Sequence, residues 1–238
     1  MPTRSSSPEA RRRAGALSRR AFVAAAAVPL LARCSSKPNS DSDTLTRMLG
    51  QSLGVFSGGS SIALSEVASV PFASLGVRIG SGPQVLLVLA SRSGPSTLWT
   101  SASHIALEIS SGRILRTAGL AQNLSATIVS SPDPLDAGLQ NLHAPARATR
   151  TLDFADRNIF GNSVESIVTP AGPAAIDVLG SRVACLHVLE RGSCAALGWT
   201  FTNEYWVGAK DGVVWRSLQF IHPDLDVVEV ALFRPPRL

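Results

Sequence analysis

The chain has 238 residues, 45% hydrophobic and 16% charged, with 22 basic against 17 acidic side chains and a net charge of +5. Seven of the basic residues and one of the acidic ones fall within the first 33, which leaves 15 basic and 16 acidic residues, a net charge of −1, for the rest. The basic excess therefore belongs to the N-terminal segment, and composition offers no basic patch for a nucleic-acid partner.

That segment has the layout of an export signal. Arg4, Arg11, Arg12, Arg13, Arg19 and Arg20 precede an apolar run, Ala21 to Leu31. As a helix the run would rise roughly 16 Å, about half of a bilayer's hydrocarbon core, too short to span comfortably. Ser18-Arg19-Arg20-Ala21-Phe22-Val23 resembles the twin-arginine consensus, with Arg19 and Arg20 as the pair that a receptor reads. Leu31-Ala32-Arg33-Cys34 is similar to a bacterial lipobox, which makes Cys34 the predicted lipidation site. Arg33 departs from the small residue normal before such a cysteine, so an uncleaved anchor and ordinary cleavage stay open as alternatives.

The resulting division is a signal over 1–33, a polar tether over 34–43 and a single domain over 44–238. A serine after the lipidated cysteine, here Ser35, favours the outer membrane, with the domain facing the periplasm.

Asp43 to Leu53 reads as a helix: Leu45, Met48, Leu49 and Leu53 share a face, and Asp43 can cap it. From Gly54 onward the pattern is β. Phe72 to Ile79, Gln84 to Ser91 and His104 to Ile109 are strand-like runs bounded by Gly and Pro, and Ser111-Gly112 turns the last of them into Arg113 to Thr117. Val85 to Leu89 lacks alternation and is predicted to be buried on both faces. Ser130 to Ala148, with three prolines, reads as the longest irregular stretch. Val183 to Leu189 and Cys194 to Phe201 read as a hairpin about Glu190-Arg191-Gly192. Tyr205 to Gly208 and Val213 to Ser217 read as another about Asp211-Gly212, placing Trp206 opposite Ser217 and beside Trp215 on one face. Val227 to Phe233 is the last strand. The predicted fold is mainly β, an antiparallel barrel-like or sandwich domain with one short N-terminal helix after the signal segment.

Export makes a Cys185–Cys194 disulfide the expectation, although a three-residue turn would place Cys185 opposite Leu197 and so demand a bulge or shorter turn. No metal, phosphate-loop or nucleophile-elbow motif is present, the histidines are scattered singly, and no cofactor or catalytic residue is indicated. Asp133 with Asp136, Asp153 with Asp156, and Glu165 are the carboxylates from which a glycosidase pair could be drawn. Trp99, Trp199, Trp206 and Trp215 could stack on sugar rings, though strand tryptophans usually serve the core.

Three stretches, taken in order, resemble the YjbF/GfcB family of group 4 capsule lipoproteins. They are Pro71 to Leu75 leading into Gln84 to Leu89; Trp99 with Gly112 to Leu120 and Asn123-Leu124; and Phe201 to Val207 with Gly212 to Gln219. Asp133-Pro134-Leu135 and Arg150 to Asp153 fall between them. The resemblance implies a lipid-anchored, periplasm-facing, mainly β protein that takes part in exopolysaccharide or capsule production or export. It would do so as a binding or scaffolding component alongside polysaccharide or secretion-apparatus proteins. A periplasmic glycan-acting enzyme using a carboxylate pair is the alternative. Arg113, Arg116 and Arg150 are candidates either to pair with Asp133 or Asp153 or to contact an acidic polysaccharide or a partner's carboxylates.

Overall fold

A computed structural model describes residues 61–130 and 132–236. The export signal, Cys34, the tether and the expected helix over 43–53 lie outside the described residues. A helix of one and a half turns, α1 (Leu64–Ser69), buries Val67 and leads into the sheet.

The strands are β1 (Ser74–Ile79), β2 (Val85–Ser93), β3 (Ser96–Thr100), β4 (Ala106–Ser110), β5 (Arg113–Ala118) and β6 (Ala126–Val129) in the first half. The second half supplies β7 (Ala146–Phe154), β8 (Ile159–Val178), β9 (Ser181–Cys194), β10 (Trp199–Gly208), β11 (Val214–Gln219) and β12 (Val228–Arg234). They form one antiparallel sheet in the order β5-β4-β3-β2-β1-β12-β11-β10-β9-β8-β7-β6. Its two ends meet: Thr117 donates its backbone N–H to the Leu124 carbonyl at 2.8 Å, and the Leu124 N–H bonds the Thr117 hydroxyl at 2.9 Å. The sheet is therefore a nearly closed barrel, the solution that leaves fewest exposed edges.

Alternation decides which side chains fill it. Leu75, Val77, Val85, Leu87, Trp99, Leu107, Val228 and Val230 point inward and form most of the larger apolar cluster. A smaller cluster of Leu135, Leu139, Ala148, Val168, Val188, Tyr205 and Val207 fills the rest. Gln219 on β11 ties the β4–β5 turn across the interior, accepting from Ile114 N at 3.1 Å and donating to the Gly112 carbonyl at 2.8 Å. Val85 to Leu89 is not buried on both faces: Val85 and Leu87 are buried, whereas Leu86, Val88 and Leu89 are half-buried.

Two hairpins share one loop design. In β7–β8 a 3₁₀ turn, Ala155–Arg157, ends on Asn158 in the left-handed region; in β9–β10, Ala195–Leu197 ends on Gly198 in the same conformation. Asn and Gly are the residues that adopt it at least cost. The expected turn at Glu190 to Gly192 does not exist. β9 runs straight through it, so Cys185 and Cys194 lie on one strand, nine residues or roughly 30 Å apart at about 3.3 Å per residue. Both are free and buried, and the expected disulfide is absent.

The Asp211-Gly212 loop is also longer than predicted. Gly208 bonds Val213, Trp206 lies opposite Arg216, and Trp215 is the extra residue of a bulge. Trp215 packs against the core while Trp206 stays outside, so the two tryptophans do not share a face. The β8–β9 hairpin outruns its neighbours: pairing with β7 ends at Val168 and with β10 at Cys185. A bulge between Pro170 and Gly172 redirects it, and its Leu179-Gly180 tip has positive φ at both residues, +52° and +79°. Such a turn suits Asn-Gly; a leucine there costs about 1–2 kcal/mol.

Alkylation of protein denatured without reductant should label both Cys185 and Cys194. Recovery of the two as a linked peptide would contradict this topology.

Candidate functional site

Four adjacent strands place one polar side chain inward at the same level: Arg150 on β7, Ser166 on β8, Glu190 on β9 and Asn203 on β10, all buried. On one side of this row lie Leu152, Val164, Cys194 and Phe201 of the larger cluster; on the other lie Ala148, Val168, Val188 and Tyr205 of the smaller. The result is a polar layer between two apolar ones.

Glu190, fully buried, is its centre. One carboxylate oxygen, Oε1, accepts from Arg150 Nη1 at 2.6 Å, Ser166 Oγ at 2.8 Å and Arg113 Nη1 at 3.0 Å. The other, Oε2, accepts from Asn203 Nδ2 at 2.9 Å, Tyr205 Oη at 3.0 Å and Arg113 Nη1 at 3.1 Å. Arg113 enters from β5, beside the seam, and its Nη2 also reaches Asp133 at 3.2 Å. Asp133 is held in turn by the Leu135 N–H at 2.8 Å. Two guanidiniums thus meet two carboxylates with no charge left over. Arg150 also lies 5.4 Å above the Phe201 ring. That ring occupies the space where any side chain at Gly192 would stand.

The electrostatics follow from burial and neighbours. Burial alone would raise the Glu190 carboxyl, but Arg113, Arg150, Asn203 and Ser166 outweigh it and hold it well below the usual carboxylate range. Arg113 loses to burial and regains more from Glu190 and Asp133, ending above the ordinary guanidinium value. Burial and the repulsion of Arg113 lower Arg150. Burial and the Glu190 charge push the Tyr205 phenol up. Glu190 is therefore a fixed anion and Tyr205 a fixed neutral donor, which is the chemistry of a strut and not of a proton shuttle.

The other predicted residues are dispersed. Arg116 is on the outer face, bonded to Glu108 with a Nε–Oε2 distance of 2.9 Å. Trp99 is buried with its indole N–H on Thr97. Trp206 is flanked by His187, stacked at 4.8 Å from β9, and by the Arg216 guanidinium, 5.0 Å away on β11, so neighbours from both adjoining strands cover it. Of the carboxylates, Asp153 accepts from Gly161 N, Asp136 from Ser111 and Asp156 from Asn123 N. Of the pairings expected for the arginines, Arg113 with Asp133 is present, while Arg150 meets Glu190 and not Asp153. Glu190, Ser166, Asn203 and Tyr205 were not anticipated. Among the described residues no three His, Cys, Asp or Glu side chains gather as a metal site.

Outside the barrel, the projecting β8–β9 hairpin turns back over the outer face towards β12. Beneath its tip is a groove of about 630 Å³, lined by Asp177, Leu179 and Gly180 of the tip, by Arg78, Arg216, Glu229 and Phe233 of the wall, and by Ser61, Ile62 and Leu64 at the start of α1. Glu229 takes both the Nε and the Nη2 of Arg216 on Oε1, each at 2.7 Å.

A family model described as group 4 capsule polysaccharide lipoprotein GfcB, YjbF, matches residues 50–233. The chain belongs to the YjbF family. The match contains every stretch that carried the resemblance in the sequence. Among curated relatives, the chain is similar to an uncharacterized lipoprotein GfcB of Escherichia coli K12, with 24% identity over 206 residues, 86% of this chain and 94% of that protein. Among solved structures, it is similar in fold to the hypothetical lipoprotein YmcC of Escherichia coli K12. The TM-score is 0.68 at 23% identity, covering 82% of this chain and 96% of the other.

Because the Glu190 carboxyl is depressed in the folded state, its contribution is complete above the unfolded value and is lost as pH falls below about 4. Glu190→Gln should cost about 3–5 kcal/mol in urea unfolding at neutral pH, since it leaves the buried Arg150 guanidinium without a carboxylate and the cluster one charge out of balance. It should also flatten the acid limb of the stability profile. A variant within about 0.5 kcal/mol of the parent would contradict the assignment.

Proposed function

We propose that this member of the YjbF family takes part in capsule or exopolysaccharide production or export as a non-enzymatic binding or scaffolding component. In this reading Cys34 carries the lipid anchor, export follows the Arg19-Arg20 signal, and the domain faces the periplasm from the outer membrane. The observation that carries the proposal is the saturated polar layer of the barrel. Both oxygens of Glu190 are fully engaged, so the most concentrated ionisable chemistry of the domain is committed to holding it together. Function then falls to the outer surface, through contact with polysaccharide or with proteins of the secretion apparatus.

A glycan-acting enzyme is the second reading, and one observation favours it: Asp177 and Glu229 line the same groove. Against it, Asp177 accepts from the Gly180 N–H at 2.8 Å and Glu229 stands between Arg216 and Arg78.

Deletion of the gene should alter the amount or composition of exported polysaccharide, and Cys34→Ala should fail to restore it if anchoring is required. Purified protein incubated with that polysaccharide should release no reducing ends. Unchanged export after deletion would contradict the proposal, and release of reducing ends would favour the enzyme.

A further inference from the structure

The apolar packing inside the barrel stops short of one end, the end at which β1, β3, β5 and β11 begin. A cavity of about 170 Å³ remains there. Leu75, Trp99, Val230 and Leu232, all buried, form its floor. Ile109, Val213, Val214 and Pro236, half-buried, form its rim, so the cavity opens at that end.

Among the described residues its lining holds no ionisable side chain, and its polar side-chain groups are engaged. Trp99 donates its indole N–H to the Thr97 hydroxyl at 2.9 Å, and Thr97 donates onward to the Ile109 carbonyl at 3.0 Å. The Ser217 hydroxyl accepts from Gln219 Nε2 at 2.9 Å. The cavity therefore presents C–H surface, and a charged or hydrogen-bonding group placed in it would lose its water without compensation. An apolar cavity of about 150 Å³ stays dry and takes up benzene, so this one has room for an apolar guest of similar bulk.

Voids shrink where their walls can relax, and this mouth is held from relaxing. Gln219 fastens the β4–β5 turn, accepting from Ile114 N at 3.1 Å and donating to the Gly112 carbonyl at 2.8 Å. The turn has positive φ at both Ser111 and Gly112, +49° and +84°. It meets β11 so closely that a Cβ on residue 112 would stand 2.5 Å from Val214 Cγ2. Turn and strand are thus locked together along one side of the mouth.

The family is one of lipoproteins, and a lipid-anchored protein meets alkyl chains at high local concentration. An alkyl chain that enters by its methyl end leaves its charged head outside, as an uncharged lining with a terminal mouth requires. We propose that this cavity takes the methyl end of one lipid alkyl chain, with the head group outside the barrel. An envelope lipid and the acyl group of a lipidated Cys34 supply the same chemistry.

The test uses the full chain carrying Cys34→Ala, which blocks lipidation, in detergent-free buffer, with tryptophan fluorescence as the readout. The probe is dodecanoate brominated at its terminal carbon, because bromine in contact with Trp99 quenches its emission. Saturable quenching is expected, lost in Trp99→Phe and much weaker when the bromine sits beside the carboxylate. Val230→Phe and Leu232→Phe fill vacant space, so each should keep or raise the melting temperature while weakening binding about ten-fold. No saturable quenching, quenching that survives in Trp99→Phe, equal quenching from both bromine positions, or unaltered affinity in both filled variants would overturn the site. Lipidated protein in nanodiscs of terminally brominated phospholipid distinguishes the sources. Quenching of Trp99 there identifies a bilayer lipid; no quenching, together with loss of probe binding, identifies the protein's own acyl chain. No quenching with the cavity still open to the probe would overturn the assignment to a lipid chain.

Discussion

Glu190 has to find its hydrogen bonds inside the protein, and the barrel is organised around that requirement. Its carboxylate has no access to water, so donors must come from β7, β8 and β10 at one level, and from β5 at the far end of the sheet order. A slip of one residue in β9 would turn Glu190 to the outer face and leave Arg113 and Arg150 without it. Buried ion clusters add little net stability compared with apolar filling, but breaking one is expensive. Here that asymmetry penalises every alternative register of four strands. Arg113 extends the constraint across the seam, so the barrel is closed by charge as well as by the Thr117–Leu124 backbone pair.

The packing on either side follows from the same row. Apolar layers flank it, Phe201 lies under Arg150, and the space for that ring exists because residue 192 is glycine. With the charges of the polar layer matched, the proposed role falls to the outside. There the long β8–β9 hairpin leaves the barrel wall after its bulge and forms one side of the groove, while strands β1, β11 and β12 form the other. The interior fixes the strands, and those strands hold the polar side chains that line the groove.

Much of the architecture was legible in the sequence, because short apolar runs between Gly and Pro signal strands whatever their partners. The alternation of Ile105 to Ser110 and the final run from Val227 both correspond to strands. What was hidden shares one cause. Inward positions of β8 and β9 include Asn162, Ser166, Glu190 and Gly192, so the apolar period is broken where the polar layer passes. Glu190-Arg191-Gly192 then looks like a turn, and a false turn brings Cys185 and Cys194 together. Pro170 and Pro173 disguise β8 in the same way. Arg113 with Asp133 could be anticipated from an arginine near a strand end, whereas Glu190, which both Arg113 and Arg150 meet, lay within the misread turn. The groove left no local signal, because its walls come from segments far apart in sequence.

The central claim is that Arg113 and Glu190 act as a unit across the seam. A double-mutant cycle of Arg113→Met, Glu190→Leu and the pair, followed by urea unfolding at neutral pH, tests it most directly. The account predicts that the double variant loses less stability than the two single losses together, by about 2–3 kcal/mol, because each single change leaves the buried cluster one charge out of balance and the double change restores the balance. Losses that add to within about 0.5 kcal/mol would contradict it.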